Sequence, residues 1–439
     1  MRARIDALAA PFRVFRHRNF ALVASGNFIN QLGQWARIIG IGWAAQELTH
    51  SPTLIGLAFG AQFIPSLFLG PVGGLVADHH DRRLISILGN LGMTVPTLAI
   101  ALLLRSGSLT LLELILLALA GGVLQSFTQP AMTAVIPRLV PVDEVQQAVA
   151  LNSMAANVSR FVGSALVGAL IATFGTAGAF LFNAATFLVV IATWLAVDGR
   201  LTRPVETTED TSSFTKRLRE GFRYARHQPS VRSLLLLNVV VTFFIMQQPL
   251  LPLVASRVLD SGASAYGLLN SATGLGAIAG AFMVGRIITD RGRKVAIATG
   301  LVSTGFCVVA IGLSRSVPLS VSLQALYGFS FFVVTTLAMT ILTLTAPDHI
   351  RGRVMGLYTT SVMGIVPLNA LAAGFLASWL GVSTTIVLAG LILLAYSAWF
   401  VTFRVQDVRL VVAADDKPLV APVADLTGTP LPGPSPVQG

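Results

Sequence analysis

The feature that most constrains this chain is a short charged turn set between two long apolar runs, and it occurs twice. The first copy reads Gly73-Gly74-Leu75-Val76-Ala77-Asp78-His79-His80-Asp81-Arg82-Arg83, and the second Gly285-Arg286-Ile287-Ile288-Thr289-Asp290-Arg291-Gly292-Arg293-Lys294. An acid followed by paired basic residues is excluded from hydrocarbon, so each copy marks a tight turn at a membrane surface. Gly73 and Gly74 let two helices approach closely there. An offset of 211 residues carries Gly74 onto Gly285, Gly56 onto Gly267 and Asn27 onto Asn238. Offsets of 207 and 206 carry Ala131-Met132-Thr133 onto Ala338-Met339-Thr340 and Gly175 onto Gly381. The chain therefore reads as two related halves.

Hydrophobic residues make up 54% of the chain and charged residues 11%, against about 25% charged in an ordinary soluble domain. With 439 residues and a mean hydropathy of +0.76, it can supply about a dozen apolar spans of roughly 20 residues. The expected fold is an all-α membrane protein of twelve transmembrane helices in two pseudo-symmetric six-helix bundles. Residues 1–19 form a basic lead-in, 20–197 the first bundle, 198–232 a loop between bundles, 233–403 the second bundle and 404–439 a Pro-rich disordered tail. Within the loop, Phe214 to Arg226 reads as a surface helix, with Phe214, Leu218, Phe222 and Ala225 on one face.

The net charge of +11 does not signal nucleic acid, because the basic residues alternate by side. Residues 1–19 hold five arginines and the central loop is richer still, whereas the intervening loops hold only Arg105, Arg257 and Arg315. By the positive-inside rule both termini are cytoplasmic, in a multi-pass cell (plasma) membrane protein, expected to be a bacterial inner-membrane one. The single cysteine excludes an internal disulfide. No phosphate-binding Gly-x-x-x-x-Gly-Lys-Ser/Thr loop is present, and all six histidines fall in loops or at span ends. An ATP-driven pump, an enzyme, a metal site and a cofactor are therefore not expected.

The duplicated turn resembles the signature loop of the major facilitator superfamily: glycine, three residues, aspartate, a basic residue, any residue, glycine and two basic residues. In the first copy His79 stands for the basic residue and Asp81 for the second glycine; the second copy is one residue shorter after Asp290. Phe15-Arg16-His17-Arg18-Asn19-Phe20, Gln129-Pro130-Ala131, Ala150-Leu151-Asn152-Ser153 and Arg351-Gly352-Arg353-Val354-Met355 resemble the branch that contains macrolide-efflux proteins and siderophore (enterobactin-type) exporters. Gly163-Ser164-Ala165-Leu166-Val167-Gly168 departs from the Gly-Pro, two residues, Gly-Gly pattern of fifth-span antiporter members. The resemblance implies alternating access around a central cavity lined mainly by the first and fourth spans of each half.

Candidate residues follow. Asn27, Asn30, Gln34 and Arg37 recur at helical spacing on span one, a polar stripe expected to face the cavity. Gln125 and Gln129 of span four, Phe243, Phe244, Met246, Gln247 and Gln248 of span seven, and Gln324, Tyr327, Phe331 and Phe332 of span ten complete an apolar lining with sparse amides. Arg160 is open to a packing or a substrate-facing role. Glu113 is expected either to pair with Arg37 across the outer part of the cavity, as a candidate proton carrier, or simply to point to the outer interface. For the gate, Gly74, Asp78, Arg82 and Arg83 are expected to close on Arg351 and Arg353, and Asp290, Arg291, Arg293 and Lys294 on the start of span five; local turn capping is the alternative. The expected function is export of a hydrophobic or amphiphilic small molecule, with membrane lipid as partner and protons as a candidate coupling ion. A facilitator or importer of a small metabolite, and a non-transporting membrane receptor, are the alternatives.

Overall fold

The computed structural model describes residues 10–199, 214–287 and 289–408. Residues 1–9 of the lead-in, the acidic part of the inter-bundle loop and the Pro-rich tail from 409 lie outside the described residues. Among the described residues every regular element is helical. The first half comprises α1 (Arg18–Leu48), α2 (Pro52–Ala61), α3 (Ile64–His79), α4 (Arg82–Ser106), α5 (Leu111–Val135) and α6 (Val145–Ala196). A connecting helix α7 (Phe214–His227) leads to α8 (Pro229–Phe244), α9 (Gln247–Leu253), α10 (Ala263–Val284), α11 (Asp290–Leu313), α12 (Val317–Thr345), α13 (Asp348–Leu380) and α14 (Val382–Phe403).

Among the described residues, ten stretches are long and apolar enough to cross a membrane. One of them, 55 residues long, includes α6, which consists of two limbs meeting at Gly175, where φ is +71°. Gly381 joins α13 to α14 with φ +82°. Both angles lie in the left-handed region that favours glycine, so the repeated glycine pair marks equivalent turns. Helix α1 has 31 residues but is not one of the ten, because its amide stripe lowers its hydropathy. The apolar helices thus number about ten to twelve.

Two spans are broken, and proline is the reason in each. Pro65 sits at the start of α3; it cannot donate to the carbonyl four residues back, so the helix parts at Gln62 and Phe63. The Gln62 side chain donates to Phe59 O at 3.1 Å, occupying one freed carbonyl. Pro249 similarly separates α8 from α9. There Asn369 of α13 donates to Thr242 O at 3.0 Å and Phe243 O at 2.6 Å. A broken helix at membrane depth is tolerated when neighbours take up the freed backbone groups.

The starts of α1, α8 and α13 and the ends of α5, α12 and α14 share one end of the molecule, called here the basic end. Arg16 and His17 reach Glu144, ahead of α6, and Asp407 accepts from Ser233 at the start of α8. At this end each half has its own core: Phe20, Met132, Val135 and Trp194 in the first, Leu234, Leu337, Leu342 and Phe400 in the second. At the opposite end a single core joins the halves, running from Ile41, Ile55 and Val167 to Leu250, Tyr266 and Ala373.

Two glycine crossings make that junction. A Cβ at Gly168 of α6 would lie 2.7 Å from the Gly267 Cα of α10, and one at Gly374 of α13 would lie 2.6 Å from Pro52 O at the start of α2. Gly56 faces Gly374 across the second crossing, so the pair Gly56 and Gly267 repeats in space as it does in sequence. Nothing lies within 4 Å of a Cβ placed at Gly70 or Gly74 of α3, or at Gly352 or Gly356 of α13. The small-residue faces are thus engaged at the opposite end and open at the basic end.

Helix α7 lies against α13, with Gly221 close to Arg353 O and Ala225 buried. Phe222 is exposed, and the side packed on α13 is that of Gly221 and Ala225.

Candidate functional site

Between the halves, below the joined end, lies a cavity of about 240 Å³. Its walls include Trp35 and Ile38 of α1, Phe59 and Phe63 at the first break, Ile245, Gln248 and Pro249 at the second, and Asn369 of α13. Tyr327 and Phe331 of α12 stack with centroids 5.7 Å apart. Tyr266 stacks on Trp43 at 5.8 Å, closing the cavity toward the opposite end.

Among the described residues lining the cavity, Arg160 is the one formal charge. Its guanidinium carbon stands 4.9 Å from the Trp35 ring centroid, and Tyr327 is close enough to interact with its charge. It has no carboxylate partner among the described residues. A guanidinium stacked on an aromatic face is weakly hydrated and keeps its donors free for a planar anion.

The polar stripe of α1 is placed differently from the expectation. Asn27 donates to Asn152 at 3.5 Å and Asn30 lies 3.6 Å from the Met132 sulfur, both inside the first bundle. Arg37 is buried at 3% exposure. It donates to Gln62 at 3.1 Å and to Gln125; Gln125 donates to Gln34 at 2.8 Å, which donates in turn to Gln129 at 3.4 Å. Arg37 Nε has no partner. The stripe therefore ties α1 to α5 and to the break before α3, because one helix face cannot serve both the bundle interior and the cavity.

Glu113 does not meet Arg37. It lies in the first turn of α5 and forms a capping box with Thr110, accepting from Thr110 N at 2.8 Å while Thr110 Oγ1 accepts from Glu113 N at 3.3 Å. The T-x-x-E spelling of this box is in the sequence, and it gives an acid at a helix N-terminus a partner without a cation.

The two charged turns are also locally satisfied. Arg82 donates to Asp78 at 3.3 Å and to Ala77 O at 3.0 Å, and Arg83 to Leu195 O at 2.7 Å. Arg293 donates to Asp290 at 2.9 Å, with Arg291 and Lys294 beside them at the start of α11. Arg351 donates to Thr343 O at 2.9 Å. The expected contact of Asp78 with Arg351 and Arg353 is not made, because the halves are apart at the basic end.

Among the remaining candidates, Gln248 and Phe331 line the cavity and Phe243, Gln247 and Gln324 do not. Phe243 packs edge-on to Phe244 at 5.1 Å. Gln324 accepts from Thr273 at 3.0 Å, and Gln247 is fully buried with neither amide atom partnered. Trp35, Tyr266, Asn270 and Asn369 line the cavity without having been singled out. The signal for Asn369 was legible: it is an isolated amide, two residues from Pro367, in an otherwise apolar span.

Two helical halves, joined at one end around an apolar cavity with a single cation among its described lining residues, have the architecture of a membrane transporter. The chain belongs to the transmembrane secretion effector family of major facilitator transporters, which it matches over residues 9–431. It is 27% identical over 381 residues to the uncharacterized MFS-type transporter YfiS of Bacillus subtilis (strain 168), covering 83% of this chain and 88% of that one. It is 29% identical over 352 residues to the enterobactin exporter EntS of Shigella boydii serotype 4 (strain Sb227), covering 78% and 81%. In fold it is similar to an inward-facing, unoccupied bacterial homologue of the human lysosomal transporter Spinster, with a TM-score of 0.69, 16% identity and coverage of 90% and 97%. The protein is thus a multi-pass transporter of the bacterial cell membrane.

Proposed function

We propose that this protein exports an anionic amphiphile of siderophore-like character by alternating access, and that Arg160 is its anchor. The carrying observation is the unpaired Arg160 guanidinium on Trp35 in a cavity otherwise walled by aromatic and aliphatic side chains and amides. A cation in such surroundings is stabilised by an incoming anion, and the aromatic walls suit a flat apolar body. The relation to an enterobactin exporter supports the same substrate class.

In this reading twelve spans form bundles 20–197 and 233–403, and the basic end faces the cytoplasm, as the arginine distribution requires. The structure is then inward-facing. In the outward-facing state the α3 face of Gly70 and Gly74 closes on α13 at Gly352 and Gly356. Asp78 exchanges Arg82 for the Arg351 and Arg353 region, and Asp290 reaches the start of α6.

No carboxylate lines the cavity among the described residues, so we assign the driving force to charge rather than to a proton carrier. Moving one negative charge out of a cell that is negative inside is favourable by about 2.3 kcal/mol per 100 mV. Flux measured in proteoliposomes, with enterobactin at a pH at which its catechols are ionised as the anionic probe and ethidium as the cationic one, tests this. Enterobactin flux is expected to follow membrane potential and to fall at least about tenfold in Arg160→Gln, with partial retention in Arg160→Lys. Flux that follows a pH gradient alone, or is indifferent to Arg160→Gln, contradicts the reading.

A further inference from the structure

A second cavity, of about 280 Å³, lies away from the central one at the basic end of the second half, where the start of α8 meets the end of α14. Leu236, Tyr396, Trp399 and Phe400 form its walls, and Arg232 and Arg404 stand at the helix termini beside it. The two arginines are not equally engaged. Arg404 lies 5.5 Å from the Trp399 ring centroid and 3.3 Å from the Asp407 carboxylate, which also accepts from Ser233 at 3.1 Å. Arg232 is exposed, and its side chain has no hydrogen bond or ion pair among the described residues. The Tyr396 hydroxyl is buried with no partner among the described residues, within reach of the Arg404 charge. The pocket is therefore net positive and one hydrogen-bond acceptor short.

We propose that this cavity binds the headgroup of an anionic glycerophospholipid from the leaflet at the basic end. Arg232 and Arg404 hold the phosphate, the Tyr396 hydroxyl donates to a phosphate or glycerol oxygen, and an acyl chain lies along Leu236 and Trp399. Three observations favour a lipid over a free phosphate. The walls are aliphatic and aromatic, which a bare ion leaves unused. Leu236 and Trp399 are themselves exposed on the flank of an apolar helix bundle. The order along α14, arginine at the helix end and tryptophan and tyrosine one and two turns inward, matches the polarity gradient of a membrane interface. Asp407 offsets one of the two arginines, and the remaining positive charge selects an anionic over a zwitterionic headgroup.

The test uses the full-length protein in detergent, its binding of phosphatidylglycerol, phosphatidylcholine and inorganic phosphate followed by native mass spectrometry and thermal unfolding. Phosphatidylglycerol is expected to bind at least about tenfold more tightly than phosphatidylcholine. Arg232→Gln should weaken it about tenfold, the weight of one charge-assisted contact, and Tyr396→Phe about threefold. Should Arg232→Gln fail to fold, Tyr396→Phe, which removes one hydroxyl and no volume from the wall, carries the test alone. Equal binding of the two lipids, unaltered binding in the variants, or stabilisation by inorganic phosphate equal to that by lipid would overturn the proposal. Because none of these residues lines the central cavity, failure here leaves the export reading intact.

Discussion

Replacing Gly168 by alanine should push the protein out of the state described here. The added Cβ lies 2.7 Å from the Gly267 Cα, a backbone atom that no rotamer change can move, whereas ordinary contact begins at 3.4–4 Å. The two helices must therefore part by about 0.7–1.3 Å, the difference between those distances. Overpacking of this kind destabilises by about 1–3 kcal/mol. The strain falls on the state in which α6 and α10 touch, so it converts directly into a population shift of roughly 5- to 150-fold toward states separated at the opposite end. Spin labels on Ala172→Cys and Ser264→Cys, one turn beyond the crossing on each helix, would report this as a longer distance component. Native Cys307 is buried, which confines labelling to the introduced sites. The pseudo-symmetric Gly374→Ala should act alike at the other crossing. If Gly168→Ala folds, keeps the wild-type distance distribution and transports normally, the glycine crossings are not what holds this end closed.

Other substitutions separate structural from transport roles. Glu113→Gln should leave transport unchanged and, because glutamine also serves at the third position of a capping box, should barely move the detergent melt. Gln125→Leu should destabilise by about 1–3 kcal/mol by stranding a buried guanidinium contact, and the double variant Arg37→Leu with Gln125→Leu should be less unstable than the sum of its singles, because a lone buried charge is the expensive state; a double-mutant cycle on unfolding checks this. Asn369→Leu frees two carbonyls at the break between α8 and α9 and should cost about 1–3 kcal/mol, with a loss of transport measured in the same liposomes. Asp78→Asn should change stability by about 1 kcal/mol or less, since the Asp78 carboxylate is half exposed and the buried Arg82 keeps its bond to Ala77 O, yet shift the distance distribution between labels placed across the basic end.

Much of the architecture was legible because hydrocarbon leaves a chain few options. Apolar runs of spanning length, arginines confined to alternate turns, and glycines repeating at fixed offsets are local properties, and they lead to helices, a two-half organisation and the equivalence of Gly56 with Gly267 and of Gly175 with Gly381 without any knowledge of contacts. The broken spans were signalled too, by Pro65 and Pro249, and the capping box of Glu113 by its spacing from Thr110. What spacing could not decide was which side of a helix met which neighbour. Asn27, Asn30, Gln34 and Arg37 form one stripe in any straight helix, but whether that stripe faces the cavity or the bundle depends on the rotation of α1 against α5 and α6, which is set by packing at Gly26, Gly33 and Gly40. Arg160 became the cavity's cation only because Trp35, from a different span, lies beneath it. That Asp78 pairs with Arg82 rather than with the opposite half depends likewise on how the two halves pack, which no spacing along one helix fixes.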